Sequence, residues 1–312
     1  EMSHCEVGLM TSGTTGIPKK VFHTMQSLVR SVQEASKHQS DVWGLTYTPT
    51  RLAGLQVFFQ ALANQNTIVR LFGLTPSAMH DAIEEYQVTH LSATPTFFRL
   101  LACDGTVHRK VERITFGGEV VDERTISAVC GTFPNAGFKN IYASTEAGSL
   151  IMSDSELFNV HPDESHLFQV FGGELAVHRS LLATSLQSSV DGDYYLTGDC
   201  VEIVQANPLI FRIVGRRDDF INVGGNKVSP YRIEALLREM PEIRLAKVYG
   251  IPNSVTGSLV VCDLVLNDGM QLTAQEVIAE LKTRLPLFAV PRIVNFRTEI
   301  DVTITGKQSR HQ

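Results

Sequence analysis

Two kinds of hydrophobic pattern alternate along the first 140 residues. Short runs at Val7 to Met10, Val42 to Tyr47, Thr67 to Phe72, Val88 to Ser92 and Arg113 to Phe116 read as strands. Between them lie helix-like segments at Thr24 to His38, Leu52 to Ala63, Thr96 to Leu101 and Asp122 to Val129, with another beginning near Thr75-Pro76. Pro76 suits a first helical position, where the missing N–H has no partner to lose. Strand and helix in turn, with short connections, predict a layered α/β core around a largely parallel sheet. Ligands of such sheets bind beyond the C-terminal ends of the strands.

From Tyr142 onward the pattern changes. Short strands separated by Gly, Asp and Asn clusters run from Gly148 to Ile213, with a turn signal at Asp191-Gly192-Asp193. They predict antiparallel β structure closing a large domain. After Gly215 a smaller α+β unit follows, with helices at Pro230 to Met240 and Thr273 to Leu285. Its strands are expected at Ile243 to Ile251, Leu259 to Leu266 and Ile293 to Phe296, before a polar tail. The expected domains are 1–216 and 217–312, with the boundary at Arg216 to Asp218.

Composition narrows the function classes. A chain of 312 residues with 43% hydrophobic and 19% charged positions is ordinary for a globular protein and long enough for two domains. A net charge of −6 gives no electrostatic footprint for nucleic acid or an anionic membrane. No apolar run approaches the length of a membrane span, and the N-terminus shows no secretory pattern. The five cysteines are widely spaced without Cys-x-x-Cys, which argues against a disulfide framework and for a reducing, cytoplasmic setting. Cys130 and Cys262 sit among apolar residues and are expected to be buried. The ten histidines never take a His-Glu-x-x-His spacing, which argues against a metal site built from protein ligands alone.

The chemistry-bearing stretch is Met10 to Val21. Thr11, Ser12, Gly13, Thr14 and Thr15 are followed by Gly16, Pro18 and the pair Lys19-Lys20. A turn after a strand that offers hydroxyls, backbone N–H groups and fixed positive charge suits phosphate oxygens. No Gly-Lys-Ser/Thr closes it, so it is not the loop of the common NTPases. Taken alone it is equally a Ser/Thr-rich surface turn beside two lysines.

Four further stretches decide between these readings: Tyr142-Ala143-Ser144-Thr145-Glu146, Thr197-Gly198-Asp199, Gly215-Arg216-Arg217-Asp218-Asp219-Phe220-Ile221 and Gly306-Lys307. Together with the first they resemble, in order, the motifs of the adenylate-forming superfamily. That family includes acyl- and aryl-CoA synthetases, the adenylation domains of peptide synthetases, and luciferase. The five matches span residues 11 to 307, nearly the whole chain.

The resemblance implies ATP-dependent activation of a small carboxylic acid as an acyl-adenylate, with pyrophosphate released and the acyl group passed to the thiol of CoA. An alternative acceptor is the pantetheine of a carrier protein. A second alternative is a non-catalytic nucleotide-binding partner subunit, against which the intact Lys307, Glu146 and Asp199 speak. Thr11, Ser12, Thr14 and Thr15, the loop amides around Gly13 and Gly16, and Lys19 would hold the departing phosphates. Glu146 would ligate Mg²⁺, a hard carboxylate for a hard cation. Thr145 would hydrogen-bond the α-phosphate and Tyr142 stack on the adenine, where Gly117-Gly118-Glu119 resembles the adenine-side turn. Asp199 and Arg216 would hold the ribose. Asp218 matches the hinge on which the small domain swings as a mobile lid, and Gly224-Gly225 the loop that lets a pantetheine arm approach. Lys307 would bridge substrate carboxylate and α-phosphate.

The chain departs from the family in several places. The phosphate loop begins within the first dozen residues, where members carry a substantial N-terminal subdomain. A natural short form, a fragment and half of a split enzyme are all consistent with this, and Met2 as a start favours the first. Uncovered surface would then promote a homo-oligomer or partner. Arg51 stands where the family often has His, and would either meet a second carboxylate on the substrate or pair at the surface. No acidic residue in Thr46 to Leu55 awaits a substrate ammonium, which disfavours amino acids. Ala143 replaces a common Gly and would make the pocket floor shallower.

Overall fold

The computed structural model describes residues 6–11, 19–102 and 105–300. They divide into two compact units, one of residues 6–197 and 202–212, the other of Gly198–Val201 and residues 213–300.

In the first unit, strands β1 (Glu6–Thr11) and β2 (Lys19–Thr24) form an antiparallel hairpin, with Thr11 opposite Lys19. Helix α1 (Met25–Leu28) follows, capped by the Thr24 hydroxyl, which accepts the Ser27 N–H at 3.2 Å. Then come β3 (Val42–Leu45), α2 (Leu52–Ala63), β4 (Thr67–Arg70), α3 (Pro76–Glu85), β5 (His90–Ala93), α4 (Pro95–Leu101), β6 (Arg113–Gly117), α5 (Glu123–Thr132), β7 (Gly137–Ser144) and β8 (Gly148–Ser153). Six of these strands make one sheet in the order β4-β3-β5-β6-β7-β8, parallel except for β8. The α/β expectation holds.

Helix starts follow local chemistry. Thr75, Thr94 and Asp122 each cap a first turn through a side-chain oxygen, and proline opens both α3 and α4. The core on this sheet gathers Leu71, Leu91, Phe98, Ile114, Phe116 and Phe133, each almost free of solvent. A smaller cluster of Leu9, Leu28 and Leu52 packs the hairpin and α1 onto α2.

Two expectations fail. The helix over Thr24 to His38 is only the single turn of α1 and a 3₁₀ turn at Ser36–His38. Gln60 of α2 and Asn64 at its C-terminal cap take the backbone groups a helix would have paired. Gln33 N–H donates to Gln60 Oε1 at 2.9 Å, Ala35 N–H to Asn64 Oδ1 at 3.2 Å, and Asn64 Nδ2 to Gln33 O at 2.9 Å. Cys130 is exposed, because α5 buries Thr125, Val129 and Thr132 and turns the next position outward. Cys262 is buried as expected, and burial pushes its thiol up to about 12.

The antiparallel portion comprises β9 (Phe158–Asn159), β10 (Phe168–Phe171), β11 (Glu174–His178), β12 (Tyr194–Ala206) and β13 (Leu209–Arg216), in the order β10-β11-β12-β13-β9. The short helix α6 (Thr184–Gln187) lies in the chain between β11 and β12.

The second unit holds β14 (Ile221–Val223), β15 (Asn226–Val228), α7 (Pro230–Arg238), β16 (Ile243–Asn253), β17 (Gly257–Leu266), α8 (Ala274–Arg284) and β18 (Ile293–Phe296). The long β16–β17 pair is antiparallel, and β18 adds to β17 in parallel. Thr273 and Glu276 form a reciprocal capping box at α8. Ile233, Leu237, Val248, Leu264, Val277 and Leu281 close the core beneath both helices.

Candidate functional site

Beyond the C-terminal ends of β6 and β7 the first unit presents two turns. Gly117 ends β6, and its carbonyl accepts the hydroxyl of Tyr47 at 3.2 Å. Burial holds that phenol far above its usual range, so it stays a neutral donor. Gly118 has φ +81°, a left-handed conformation that glycine enters without penalty. The Glu119 carboxylate turns back to α4, where it accepts the Thr96 N–H at 3.0 Å and lies 3.9 Å from Arg99.

The second turn carries Thr145 and Glu146. Sequence alone also allows a strand end followed by a helix cap. Instead β7 turns directly into β8, with the register slipping between Tyr142 and Ala143. Such a bulge re-aims the side chains that follow it. Tyr142 is buried, its ring centroid 5.9 Å from that of Phe158. Ala143, Thr145 and Glu146 are half-buried. The Glu146 backbone carbonyl accepts the Ala183 N–H at 2.8 Å. Its carboxylate has no hydrogen-bond or ion-pair partner among the described residues, and neither has the Thr145 hydroxyl.

Bracing comes from residues no motif points to. His23 is 1% exposed. Its Nε2 donates to the Thr145 carbonyl at 2.6 Å, and its Nδ1 lies 3.0 Å from Ser27 Oγ. A carbonyl only accepts, so Nε2 carries the proton. Burial lowers the pKa of His23, opposed by the Thr145 carbonyl, with a further lowering from Arg30 and an opposing pull from Glu146. Arg30 Nη2 donates to the carbonyls of Ala147 at 2.7 Å and Ser149 at 3.2 Å. On the other side Phe22 N–H donates to Ser185 Oγ at 3.0 Å, and Thr184 Oγ1 to Phe22 O at 3.0 Å. The hairpin, the Thr145–Glu146 turn and α6 are therefore tied together. The available signal was alternation: Val21 and His23 share the inward face of β2.

Lys19 and Lys20 are exposed on β2. Arg51, just before α2, donates from Nη1 to Met10 O at 3.0 Å, which adds another tie to the hairpin. Residues Ser12, Gly13, Thr14, Thr15, Gly16 and Lys307 lie outside the described residues, as does the Thr11 side chain.

In the second unit Asp199 Oδ1 lies 3.6 Å from Arg216 Nε. The two were assigned to the same ribose from sequence, and the hairpin of β12 and β13 brings them together. Gly198 has φ +80°, and a Cβ there would sit 3.0 Å from Arg216 Nη2. Arg217, Asp218 and Asp219 form a 3₁₀ turn in which Asp219 Oδ2 accepts the Tyr231 hydroxyl at 2.8 Å. Gly224 and Gly225 form the tip between β14 and β15 with φ +58° and +84°. Nothing lies within 4 Å of a Cβ built on either, so backbone conformation rather than crowding calls for glycine here.

The family model described as AMP-binding enzyme matches residues 7–170, more than half of the chain, and the model for its C-terminal domain matches residues 232–307. The chain belongs to the AMP-binding enzyme family. Among curated relatives of this chain, 4-hydroxybutyrate–CoA ligase 1 of Metallosphaera sedula is 28% identical, over 97% of this chain and 61% of its own length. The 2-succinylbenzoate–CoA ligase of Staphylococcus epidermidis is 26% identical, over 97% of this chain and 68% of its own. ATP-bound MatB from Rhodopseudomonas palustris superposes with a TM-score of 0.77 at 20% identity, covering 96% of this chain and 66% of that one. The amide bond synthetase McbA from Marinactinospora thermotolerans gives 0.76 at 22% identity, covering 97% and 66%. These two likenesses establish the fold. The chain spans about three-fifths of the length of the first two curated relatives, 61% and 62%. No helix among the described residues is long and apolar enough to cross a membrane.

Proposed function

We propose that the chain carries ATP-dependent activation of a carboxylic acid through an acyl-adenylate, followed by transfer of the acyl group to the thiol of CoA. The observation behind this reading is the Thr145–Glu146 turn. A half-buried carboxylate and a hydroxyl, both without a partner among the described residues, stand on a braced turn at the end of the sheet where α/β proteins take ligands. A carboxylate with free oxygens fits Mg²⁺, which prefers oxygen ligands shared between protein and substrate phosphates. When bound, that ion offsets the charge of the triphosphate.

Carboxylate and triphosphate repel each other, so the residues must screen charge and align the attack in line. In this reading Glu146 holds the cation and Thr145 donates to the α-phosphate. Lys19 and the loop from Thr11 to Gly16 hold the departing pyrophosphate. Tyr142 and Gly117-Gly118-Glu119 border the adenine, although Tyr142 must share its ring with Phe158. Asp199, as an ionised acceptor, takes the ribose hydroxyls with Arg216 beside it. Lys307 is delivered to the reacting carboxylate by the C-terminal domain, which turns about Asp218 and later presents Gly224-Gly225 to the pantetheine arm. The division of the chain near residue 213 supports two moving parts. The Arg51 bond to Met10 O favours an anchoring role over a substrate contact.

The named activities of the relatives favour CoA as acceptor. The test is pyrophosphate release from ATP and Mg²⁺ over a panel of aliphatic and aryl acids, with CoA and a pantetheinylated carrier protein as separate acceptors. Acid-dependent release with CoA-thioester formation is expected. Thioester on the carrier protein alone would move the reading to an adenylation enzyme, and no release with any acid would leave a binding subunit. Lys307→Ala should lower adenylate formation by on the order of 100-fold while leaving thiol transfer from supplied acyl-adenylate nearly intact. Equal loss in both steps would remove the bridging role.

A further inference from the structure

At the opposite end of the parallel sheet lies a second constellation with no part in the reaction above. Asp41 immediately precedes β3, and His90 opens β5; the two strands are neighbours with Trp43 opposite His90. His38, in the 3₁₀ turn, comes three residues before Asp41. His38 Nδ1 lies 2.9 Å and His90 Nε2 3.4 Å from the same oxygen, Asp41 Oδ2. All three atoms lie within 4.8 Å of one another. The Asp41 side chain is 7% exposed and that of His90 9%, so the carboxylate has left water almost completely.

We propose that His38 Nδ1, Asp41 Oδ2 and His90 Nε2 form a binding site for one divalent transition-metal ion of the zinc type. Three observations support it. Bonds of about 2.0–2.1 Å in a tetrahedron place neighbouring ligand atoms about 3.3 Å apart. The two imidazole nitrogens, 2.9 and 3.4 Å from Asp41 Oδ2, stand near that spacing, and the two nitrogens, within 4.8 Å of each other, draw closer on binding. The 3.4 Å approach of His90 is longer than an ordinary N–H···O bond of about 2.7–3.2 Å, so no short hydrogen bond closes the pair. The far nitrogen of His90, Nδ1, is held by Thr89 Oγ1 at 2.9 Å. Partners of this kind fix the orientation of ligating imidazoles.

Two imidazoles and one carboxylate select zinc, cobalt or nickel over magnesium or calcium. Solvent completes the coordination, since three protein atoms leave a position open. Binding at Nδ1 moves the remaining His38 proton to Nε2, a buried atom without a hydrogen-bond partner among the described residues. That cost makes the site weaker than a four-ligand structural one.

The chain contains its own reporter. Its single tryptophan, Trp43, packs on His90 with ring centroids 4.8 Å apart. Titrating the full chain with Co²⁺ should quench Trp43 fluorescence at one ion per chain, and excess Zn²⁺ should restore it. His38→Ala and His90→Ala should each weaken the apparent affinity by about tenfold or more. If those variants lose their fold by circular dichroism, zinc added to the wild type must shift the imidazole ¹⁵N resonances of two of the ten histidines. No saturable quenching, binding unchanged in both variants, or zinc shifts confined to other histidines would each overturn the site. A closed His–Asp–His hydrogen-bonded cluster would then be the better account.

Discussion

The two ends of the parallel sheet hold similar side chains in opposite conditions. At the C-terminal end Glu146 and Thr145 sit on a turn whose backbone is tied down by His23, Arg30 and Ala183, while neither side chain has a partner among the described residues. At the N-terminal end Asp41 lies almost out of solvent between two imidazoles. In the first place the protein fixes the backbone and leaves the functional groups for a ligand. In the second it encloses the functional group itself. That contrast, more than the presence of acidic residues, separates a candidate reaction site from a side-chain cluster that holds either a metal or itself.

The sharpest way to break the contrast is Glu146→Gln. It keeps shape and removes charge, so pyrophosphate release should fall by on the order of 100-fold. Thermal unfolding should hardly change, because no described partner loses a bond. A large drop in stability with activity kept would mean that Glu146 is structural after all.

His23 probes the bracing. His23→Ala removes a buried hydrogen bond to the Thr145 carbonyl and should cost about 1–3 kcal/mol. A loosened turn should also raise the KM for MgATP by roughly tenfold. His23→Gln, which restores an N–H donor, should recover part of both in unfolding and steady-state assays. A glutamine variant as poor as alanine would show that volume, rather than the bond, matters.

A smaller effect concerns pH. His23 and His90 are both held below the ordinary imidazole value, chiefly by burial. Below about pH 6.5 the unfolded chain takes up protons that the folded one refuses. Their contribution to stability is therefore complete above that pH and is lost as pH falls towards the folded values. Stability measured by denaturant unfolding should decline on acidification, and His23→Gln or His90→Gln should flatten the slope. An unchanged slope in both would contradict the assigned directions.

Much of this was legible in the sequence. The strand–helix alternation gave the parallel sheet, and Thr75-Pro76 marked a helix start. The motifs also named Asp199 and Arg216 together, and the two side chains lie 3.6 Å apart across the β12–β13 hairpin. What sequence could not supply depends on partners distant along the chain. The segment after Leu28 lost its helix to Gln60 and Asn64, polar side chains in the last turn and at the cap of a helix some 30 residues later. Cys130 has apolar neighbours in sequence, yet helical phase turns it outward. His23 is one strand residue among many until the turn at Thr145 meets it. His38, Asp41 and His90 evade any spacing rule because the register of β3 against β5 brings them together.

The most direct test is acid-dependent ATP–pyrophosphate exchange, run on the wild-type chain beside Glu146→Gln. If the uncommitted turn receives MgATP, the wild type should exchange label only when a suitable acid is present, and the variant should lose nearly all of it. Equal exchange in both proteins would contradict the account.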